Sequence, residues 1–453
     1  MKVAKLQLKN IGVFDDVTFE FPEERPKDCA EIHIFTGENG SGKSTVLYAL
    51  SGLFSAGKKH GSENRSQEQL RKRFHYFNGS NDGDNIDNSP KSDIIGFIGS
   101  ENLSIKAYGC SHCHQVHSGL IDDPSNNLGN LDIRKKINRY QNAISAVDTE
   151  TPYSFAVFAY SGYRFIESSR INSIEELSWN PLENAADFFK INDKKTNFNQ
   201  WLANCFSKSA IAFQQKKKGK EYRELMFLIE QIISDVIGKS IKFHLELEPT
   251  DLLVNMDGQF VEFDTLPDGL RALISWIGDL LMRMDEVKWE DNLPINEREF
   301  ILLLDEIEVH LHPAWQRKVL PVIQKLFKNA QIFISTHSPF VINSVDGAWI
   351  HPLKLEGKTA INLPPIKSED GRSYRHILRT IFGIDKEFGG EAQKQLDEFY
   401  VLRNRILAEK NGAEVDRKAF SQLINKLVRQ GKEIETIITL EVMQLQKIKN
   451  ETF

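Results

Sequence analysis

The stretch Gly37-Glu38-Asn39-Gly40-Ser41-Gly42-Lys43-Ser44-Thr45 decides the fold of this chain. It matches the pattern G-x-x-x-x-G-K-[ST], in which glycine-rich backbone wraps phosphate groups with its N–H groups. The apolar run 31–36 (EIHIFT) precedes it, and apolar residues at helical spacing follow it over 46–53. The first N–H groups of that helix would point at the anion. The sequence therefore predicts a strand, an ATP-binding P-loop and a helix, and thus an α/β fold.

A second apolar run, 301–304, ends in two carboxylates, Asp305 and Glu306. The carboxyl ends of parallel strands meet at one edge of a sheet, so we expect both side chains near the P-loop. Lys43 would reach the β- and γ-phosphates, while Ser44 and Asp305 would hold Mg²⁺. Glu306 is predicted to orient or activate the attacking water.

A third apolar run, 332–335, leads to His337. A histidine after such a strand is often a turn residue whose hydrogen bonds are satisfied locally. Its order and spacing relative to the P-loop favour a hydrogen bond to the γ-phosphate instead. We therefore predict that Glu306 and His337 are the catalytic residues.

Composition excludes several classes of protein. The chain has 453 residues, 40% of them hydrophobic, and a formal net charge of −6, which gives no overall attraction to nucleic acid. Its four cysteines form no disulfide framework. The N-terminus lacks a signal-peptide pattern, and the longest apolar runs are far below the roughly 20 residues of a membrane helix. We expect a cytoplasmic protein without a membrane partner.

The strings GENGSGKST at 37–45, LLLDEIEVHLHPAWQ at 302–316 and ISTHSP at 334–339 together resemble ABC-type ATPases. They are similar to the Walker A, Walker B with D-loop, and H-loop segments of the SMC-like, RecF-like and OLD-like branch. In that order, 160–164 (YSGYR) occupies the Q-loop region and 266–275 (LPDGLRALIS) the signature motif. The resemblance implies an ABC-type α/β core with an inserted helical lobe and a C-terminal helical region.

Nucleotide sites of that family form between two subunits. The resemblance therefore implies a homodimer or a higher homo-oligomer, in which Asp268, Gly269 and Arg271 act on the nucleotide of the partner. Pro267 stands where the family commonly has serine, and proline has neither a hydroxyl nor an N–H to offer a phosphate. We expect sound ATP binding with slow or conditional hydrolysis.

Four regions follow from this alignment of motifs. Residues 1–56 form the N-terminal part of the core with the P-loop, and 57–260 form the inserted lobe with the Q-loop region. Residues 261–355 form the C-terminal part of the core. Residues 370–453 form a helical region for oligomerisation or partner binding, with packing onto the core as the alternative.

No nuclease site of the chain's own is apparent. The TOPRIM domain of OLD-type nucleases needs a later Asp-x-Asp, which is absent after Pro339. The chain is similar to the ATPases of Septu antiphage systems and to retron-associated ATPases, which implies a separate His-Asn-His nuclease partner acting on DNA. The alternatives are a RecF/SMC-like DNA-repair ATPase and a structural scaffold that holds ATP as a static cofactor.

Three further features have two interpretations each. Cys110 and Cys113, near His112, His114 and His117, form either a polar hairpin turn, which we favour, or a structural Zn²⁺ site. His310 and His312 belong to the D-loop, with a metal site as the alternative. The basic runs are solvated faces or contacts to the DNA backbone; they comprise Lys58-Lys59, Arg71-Lys72-Arg73 and Lys216-Lys217-Lys218-Gly219-Lys220 with Arg223.

Overall fold

In a computed structural model of the chain, strand β3 (Glu31–Gly37) lies inside the sheet that carries the P-loop. Among the described residues, seven strands form this sheet in the order β14-β13-β3-β12-β11-β7, with β15 on β13. The strands are β7 (Ala156–Tyr160), β11 (Phe300–Leu304), β12 (Gln331–Ser335), β13 (Trp349–Glu356), β14 (Thr359–Asn362) and β15 (Ile366–Lys367). The strands from β13 to β7 pair in parallel. Every residue of β7, β11 and β12 is buried, which explains why β7 and β11 are apolar throughout and why β12 is polar only at its two ends.

The structure describes residues 1–54, 65–75, 92–99, 103–109, 116–121, 131–145, 152–162, 174–175, 177, 179–188, 197–216, 219, 221–247, 250–369, 371–408 and 414–449. The chain divides into two compact units, Met1–Ile377 and Leu378–Phe453. The second unit thus begins eight residues after the expected start of the C-terminal region at 370.

Register brings the predicted site residues to one edge of the central sheet. Ile34 pairs with Ile334, Ile334 with Leu304, and Leu304 with Tyr160. The four strands therefore end at the same level. The segments that follow them carry the P-loop, His337, Asp305 with Glu306, and the Q-loop region.

A second, antiparallel sheet has the order β2-β1-β4-β5-β6. Its strands are β1 (Val3–Ile11), β2 (Phe14–Glu20), β4 (Asp93–Ile98), β5 (Leu103–Gly109) and β6 (Val116–Ile121). β1 and β4 alternate buried and less buried residues, as expected for a sheet with one face on the core. A third sheet joins β8 (Ile241–Leu247), β9 (Thr250–Met256) and β10 (Gln259–Glu262). The inserted segment 57–260 thus contributes strands to all three sheets as well as helices.

Helices complete the first unit. They are α1 (Lys43–Phe54), α2 (Arg65–Arg71), α3 (Leu131–Ser145), α4 (Asn197–Gln214), α5 (Glu224–Ile237), α6 (Asp268–Glu286), α7 (Pro313–Leu326) and α8 (Pro339–Ile342), while α9 (Tyr374–Thr380) spans the division between the units. α6, which follows the signature position, buries Leu273, Trp276 and Leu280 against the core. Tyr160 donates to Asp279 Oδ2 at 2.9 Å and so fixes this helix to the end of β7.

The second unit is a helical bundle with its own core. It contains α10 (Gly390–Ala408), α11 (Glu414–Leu427) and α12 (Lys432–Lys449). Phe399 and Phe420 are fully buried and stack with their centroids 4.9 Å apart. Around them lie Leu396, Ile406, Leu427, Ile434, Ile438 and Leu445. The apolar spacing in the sequence therefore reflects packing among these three helices.

Candidate nucleotide-binding site

The P-loop is confined from two sides by other parts of the chain. Gly37 has a φ of 148°, and a Cβ there would lie 2.2 Å from the carbonyl oxygen of Leu353 on β13. Gly42 has a φ of 94°, and a Cβ there would lie 2.5 Å from the ring of Phe14. Only glycine fits these approaches and backbone angles. The loop shape is thus determined by β13 and by the turn between β1 and β2.

The ammonium group of Lys43 lies within the loop. Its Nζ donates to the carbonyl oxygens of Gly37 at 3.0 Å and Glu38 at 2.9 Å. Burial lowers the pKa of Lys43, and nearby carboxylates oppose this shift; they are Asp305, Glu306 and Glu308. The amine is thus held inside the loop by two carbonyl oxygens, with three carboxylates nearby that favour its charged form.

Asp305 is the centre of a hydroxyl network at the end of β11. Ser44 Oγ donates to Asp305 Oδ1 at 2.9 Å, and Ser335 Oγ donates to the same oxygen at 2.5 Å. Asp305 is 8% exposed. A carboxylate and a hydroxyl in contact are oxygen ligands of the kind that Mg²⁺ prefers. The geometry thus brings together the two residues predicted to hold Mg²⁺.

Glu306 adopts an unusual backbone conformation. Its φ is 50°, in the left-handed region that costs most side chains free energy and often marks functional residues. Its N–H donates to Ser335 Oγ at 2.8 Å. A Cβ on Gly162 would lie 3.1 Å from Glu306 Oε2, so a larger residue at 162 in the Q-loop segment would press on this side chain.

His337 and Glu308 form a neighbouring pair. The His337 N–H donates to Glu308 Oε1 at 2.5 Å. Burial lowers the pKa of the His337 imidazole and nearby Lys43 lowers it further, while Asp305 acts in the opposite direction. The neutral ring retains one N–H to donate to a phosphate oxygen. Burial also raises the pKa of Glu308, which the His337 N–H partly counteracts.

ATP and Mg²⁺ fit the unsatisfied groups of the site. Within the described residues, three buried polar atoms near the loop lack a hydrogen-bond partner: Thr36 Oγ1, Ser41 Oγ and Glu308 Oε2. Buried polar groups in native proteins are nearly always satisfied, so these atoms point to a bound polar group or water. The glycine cradle and the Lys43 amine are suited to phosphates. Ser44 and Asp305 would hold the metal ion.

Arg73 lies beside the P-loop helix, although the sequence suggested only a member of a basic run. Its Nε donates to Thr45 Oγ1 at 3.2 Å, and its guanidinium lies 4.6 Å from the centroid of the Tyr48 ring. Lys72 of the same run pairs with Glu68 at 2.6 Å. Residues Lys72 and Arg73 of this run therefore make contacts within the chain.

Ser335, Glu308 and Arg73 are site residues that motif matching did not identify. Ser335 and Glu308 each lie two residues from a predicted catalytic residue, so their proximity in sequence was a usable signal. No local pattern relates Arg73 to Thr45, because the connecting residues belong to the inserted segment.

The signature residues lie at the start of α6. Gly269 packs so closely on the D-loop of the same chain that a Cβ would lie 2.5 Å from the His310 carbonyl oxygen. Arg271 Nη2 donates to Asp268 Oδ1 at 2.9 Å. Pro267 occupies the N-cap, where its carbonyl accepts from Arg271 N at 3.0 Å. Their action on a nucleotide of a partner subunit stays a prediction.

Of the two other candidate metal sites, the structure describes His310 and His312 but not the Cys110 and Cys113 pair. His312 caps α7, because its Nδ1 accepts from the Ala314 N–H at 3.2 Å. Within the described ranges, no group of three or more His, Cys, Asp or Glu side chains is arranged to hold a metal ion. Cys110 and Cys113 lie outside those ranges, so the zinc prediction is untested. Lys58, Lys59, Lys217, Lys218 and Lys220 also lie outside them.

The phosphate loop, the acidic strand end and the histidine on a parallel sheet define a P-loop ATPase. Residues 32–343 match the family described as "AAA domain, putative AbiEii toxin, Type IV TA system". This chain belongs to that family. The match spans every motif from the P-loop to the H-loop, and family membership implies use of a nucleotide and Mg²⁺.

Among curated proteins, the chain is similar to Septu protein PtuA of Bacillus thuringiensis. The two are 20% identical over 409 residues, which is 87% of this chain and 89% of PtuA. It is 24% identical over 382 residues to the Retron Vc95 probable ATPase of Vibrio cholerae, covering 77% of this chain and 73% of that protein. It is 28% identical over 209 residues to the Retron Ec83 probable ATPase of Escherichia coli, covering 46% of this chain and 37% of that protein.

Solved structures with a similar fold include SMC heads. One is the SMC head bound to the C-terminal winged-helix domain of ScpA, with a TM-score of 0.44, 14% identity, and coverage of 81% of this chain and 98% of that one. Another is the SMC head domain from Thermotoga maritima, with a TM-score of 0.39, 14% identity, and coverage of 80% and 99%. No helix in the described ranges combines the length and apolar character needed to cross a membrane.

Proposed function

We propose that this protein is an ATP-dependent switch of a bacterial antiphage defence system, and that its nucleotide state controls a separate His-Asn-His nuclease acting on DNA. The observation that carries the first part is the convergence of Lys43, Ser44, Asp305, Glu306 and His337 at one sheet edge. The similarity to Septu PtuA over most of both chains supports the second part.

Each of these five residues has a role in ATP hydrolysis. Lys43 and the P-loop N–H groups bind the β- and γ-phosphates. Ser44 and Asp305 hold Mg²⁺, which neutralises charge on the phosphates when it is bound. Glu306 accepts a proton from the attacking water, and His337 donates its N–H to a γ-phosphate oxygen.

Assembly completes the site in this proposal. The first turn of α6 covers the nucleotide of a second copy, so the working unit is a homodimer or a larger homo-oligomer. Asp268, Gly269 and Arg271 would provide this contact. Their place at a helix N-terminus supports it, because free N–H groups there bind anions.

Substitution of Glu306 tests the proposal. E306Q should keep ATP affinity within about threefold and lower single-turnover hydrolysis by about a hundredfold or more, because the base is lost. E356Q is the matched control, since Glu356 is an exposed carboxylate on β13 that no site residue contacts. Equal hydrolysis by both variants would contradict the role of Glu306.

The partner is tested separately by a pull-down with the tagged chain, in which mass spectrometry identifies any His-Asn-His protein that is retained. Co-purification and nucleotide-dependent cleavage of DNA would support the proposal. A variant lacking 416–453 should lose the partner while ATP binding persists. Retention of the partner by that variant would show that the C-terminal region does not recruit it.

A static ATP scaffold is the second candidate, and Pro267 favours it. The residue offers no hydroxyl and no N–H at the N-cap that would cover a partner's phosphate. P267S should then raise single-turnover hydrolysis several-fold, whereas P294S, at the start of another helical turn, should not. Intact ATP retained in the purified protein, together with hydrolysis that increases in P267S but not in P294S, would favour the scaffold.

A further inference from the structure

The outer face of α12 carries an apolar stripe that the described residues leave exposed. Leu440 is 56% exposed, Met443 54% and Ile448 64%. Ile437 is half-buried. At about 100° per residue, Leu440 and Met443 lie on the side of the helix away from the stripe formed by Ile434, Ile438 and Leu445, which faces the bundle core, and Ile437 and Ile448 lie between the two. Isolated apolar residues are normal on surfaces, but a stripe along one helix marks an interaction surface.

Charges on this face are arranged with a symmetry about Leu440. Glu433 lies seven residues before Leu440 and Lys447 seven residues after it, and both are exposed. Ile437 and Met443 lie three residues before and after it. The same seven-residue spacing that keeps a seam on one face of a coiled coil therefore links Glu433, Leu440 and Lys447.

We propose that α12 pairs with α12 of a second copy of this chain, antiparallel, with the two-fold axis at Leu440. In this arrangement Leu440 packs on Leu440 of the other copy, and Ile437 packs on Met443. Each Glu433 meets the other copy's Lys447, so two ion pairs flank the apolar centre. A two-fold interface requires one patch to be complementary to itself, and this stripe meets that requirement in shape and charge.

The arrangement goes beyond the proposed function because it needs no nucleotide. ATP-bound cores would associate only while the nucleotide is present, whereas α12 pairing would hold two chains together throughout the cycle. A permanent link raises the effective concentration of one core near the other and thereby favours the composite nucleotide site. Each association can be removed without the other, because Lys43 binds the nucleotide that joins the cores and has no part in the pairing of α12.

Charge reversal in the full chain tests this pairing. In a K43A background without nucleotide, we expect a dimer by sedimentation velocity. E433K and K447E should each weaken the dimer about tenfold, because both ion pairs become repulsive, and the double variant should restore it to within about threefold. L440D should abolish the dimer, whereas V401D should leave it unchanged, since Val401 is similarly exposed, at 51%, on α10.

Cross-linking tests the position of the axis. Cysteine in place of Leu440 should form a disulfide between two chains on mild oxidation, because only the two-fold axis brings two identical positions within the 4.4–6.8 Å Cα separation that this bond needs. Cysteine in place of Val401 should not. A single-chain species in the K43A background, or a double variant that fails to restore the dimer, would overturn the proposal. The proposal would also be overturned if L440D abolished binding to a different protein while the chain still associated with itself.

Discussion

Removal of the Ser335 hydroxyl should separate nucleotide binding from hydrolysis. The hydroxyl is 1% exposed and makes two hydrogen bonds, one donated to Asp305 Oδ1 and one accepted from the Glu306 N–H. In S335A the Glu306 N–H loses its acceptor. An unsatisfied buried group costs about 1–3 kcal/mol. Because Glu306 needs this bond to keep its left-handed φ of 50°, we expect much of the cost to affect the position of its carboxylate.

The expected magnitude follows from that range. A loss of 1–3 kcal/mol in the transition state corresponds to a rate about 5- to 150-fold lower, since 1.36 kcal/mol is tenfold. S335A should therefore bind ATP within about threefold of the unmodified protein and hydrolyse it at least fivefold more slowly. Single-turnover hydrolysis and equilibrium binding measure the two quantities.

S368A is the matched control. Ser368 is also buried, and its hydroxyl likewise accepts from a backbone N–H, that of Ala348, but donates to a carbonyl, that of Val345, where Ser335 donates to a carboxylate. Both variants should lose about 1–3 kcal/mol of unfolding free energy, but only S335A should lose hydrolysis. Hydrolysis by S335A at the rate of S368A would refute the view that Ser335 positions Glu306.

Two more predictions concern the loop and its acidic neighbour. G42A should abolish ATP binding, whereas G40A should weaken it less. Both glycines have positive φ, but only a Cβ on Gly42 would meet another group, the Phe14 ring. Isothermal titration of both variants with ATP measures the difference. Burial raises the pKa of Glu308 in the folded protein above its ordinary value of 4.5. The contribution of Glu308 to the free energy of unfolding is therefore largest below pH 4.5 and is lost as pH rises through the folded pKa. E308Q removes this titration. Relative to the unmodified protein, the melting temperature of E308Q should therefore rise as pH increases above 4.5. A difference in melting temperature that does not change with pH would contradict the burial argument.

The motifs predicted the core of the site because each is local. Lys43, Asp305, Glu306 and His337 each follow an apolar strand, and parallel pairing brings such strand ends together whatever lies between them. Sequence alone could not predict that Phe14 and Leu353 confine the P-loop, since those contacts depend on how separate sheets pack.

The sequence also could not predict how the strands of the inserted segment 57–260 are distributed among the three sheets. Residues 93–121 alternate weakly, and nothing local shows that β4 pairs with β1 of the N-terminal region. Arg73 reaches Thr45 only through that pairing and the bridge between Ile11 and Phe74. Long-range contacts of this kind carry no signal in a window of 10 or so residues. For the C-terminal region, the sequence predicted helices over 370–453 but not the shared core into which they pack.

The neighbours of β3 have a consequence for synthesis of the protein. Both strands that flank β3 come late in the chain; Gln331, at the start of β12, bonds Glu31 across 300 residues. A ribosome adding roughly 5–20 residues per second would need about 15–60 s to supply the first of them. During that time β3, which is buried in the folded protein, would have neither hydrogen-bonded edge satisfied. A nascent chain of this protein therefore cannot bind nucleotide until nearly all of its first unit has emerged, and until then it is a natural client for chaperones that hold extended apolar segments.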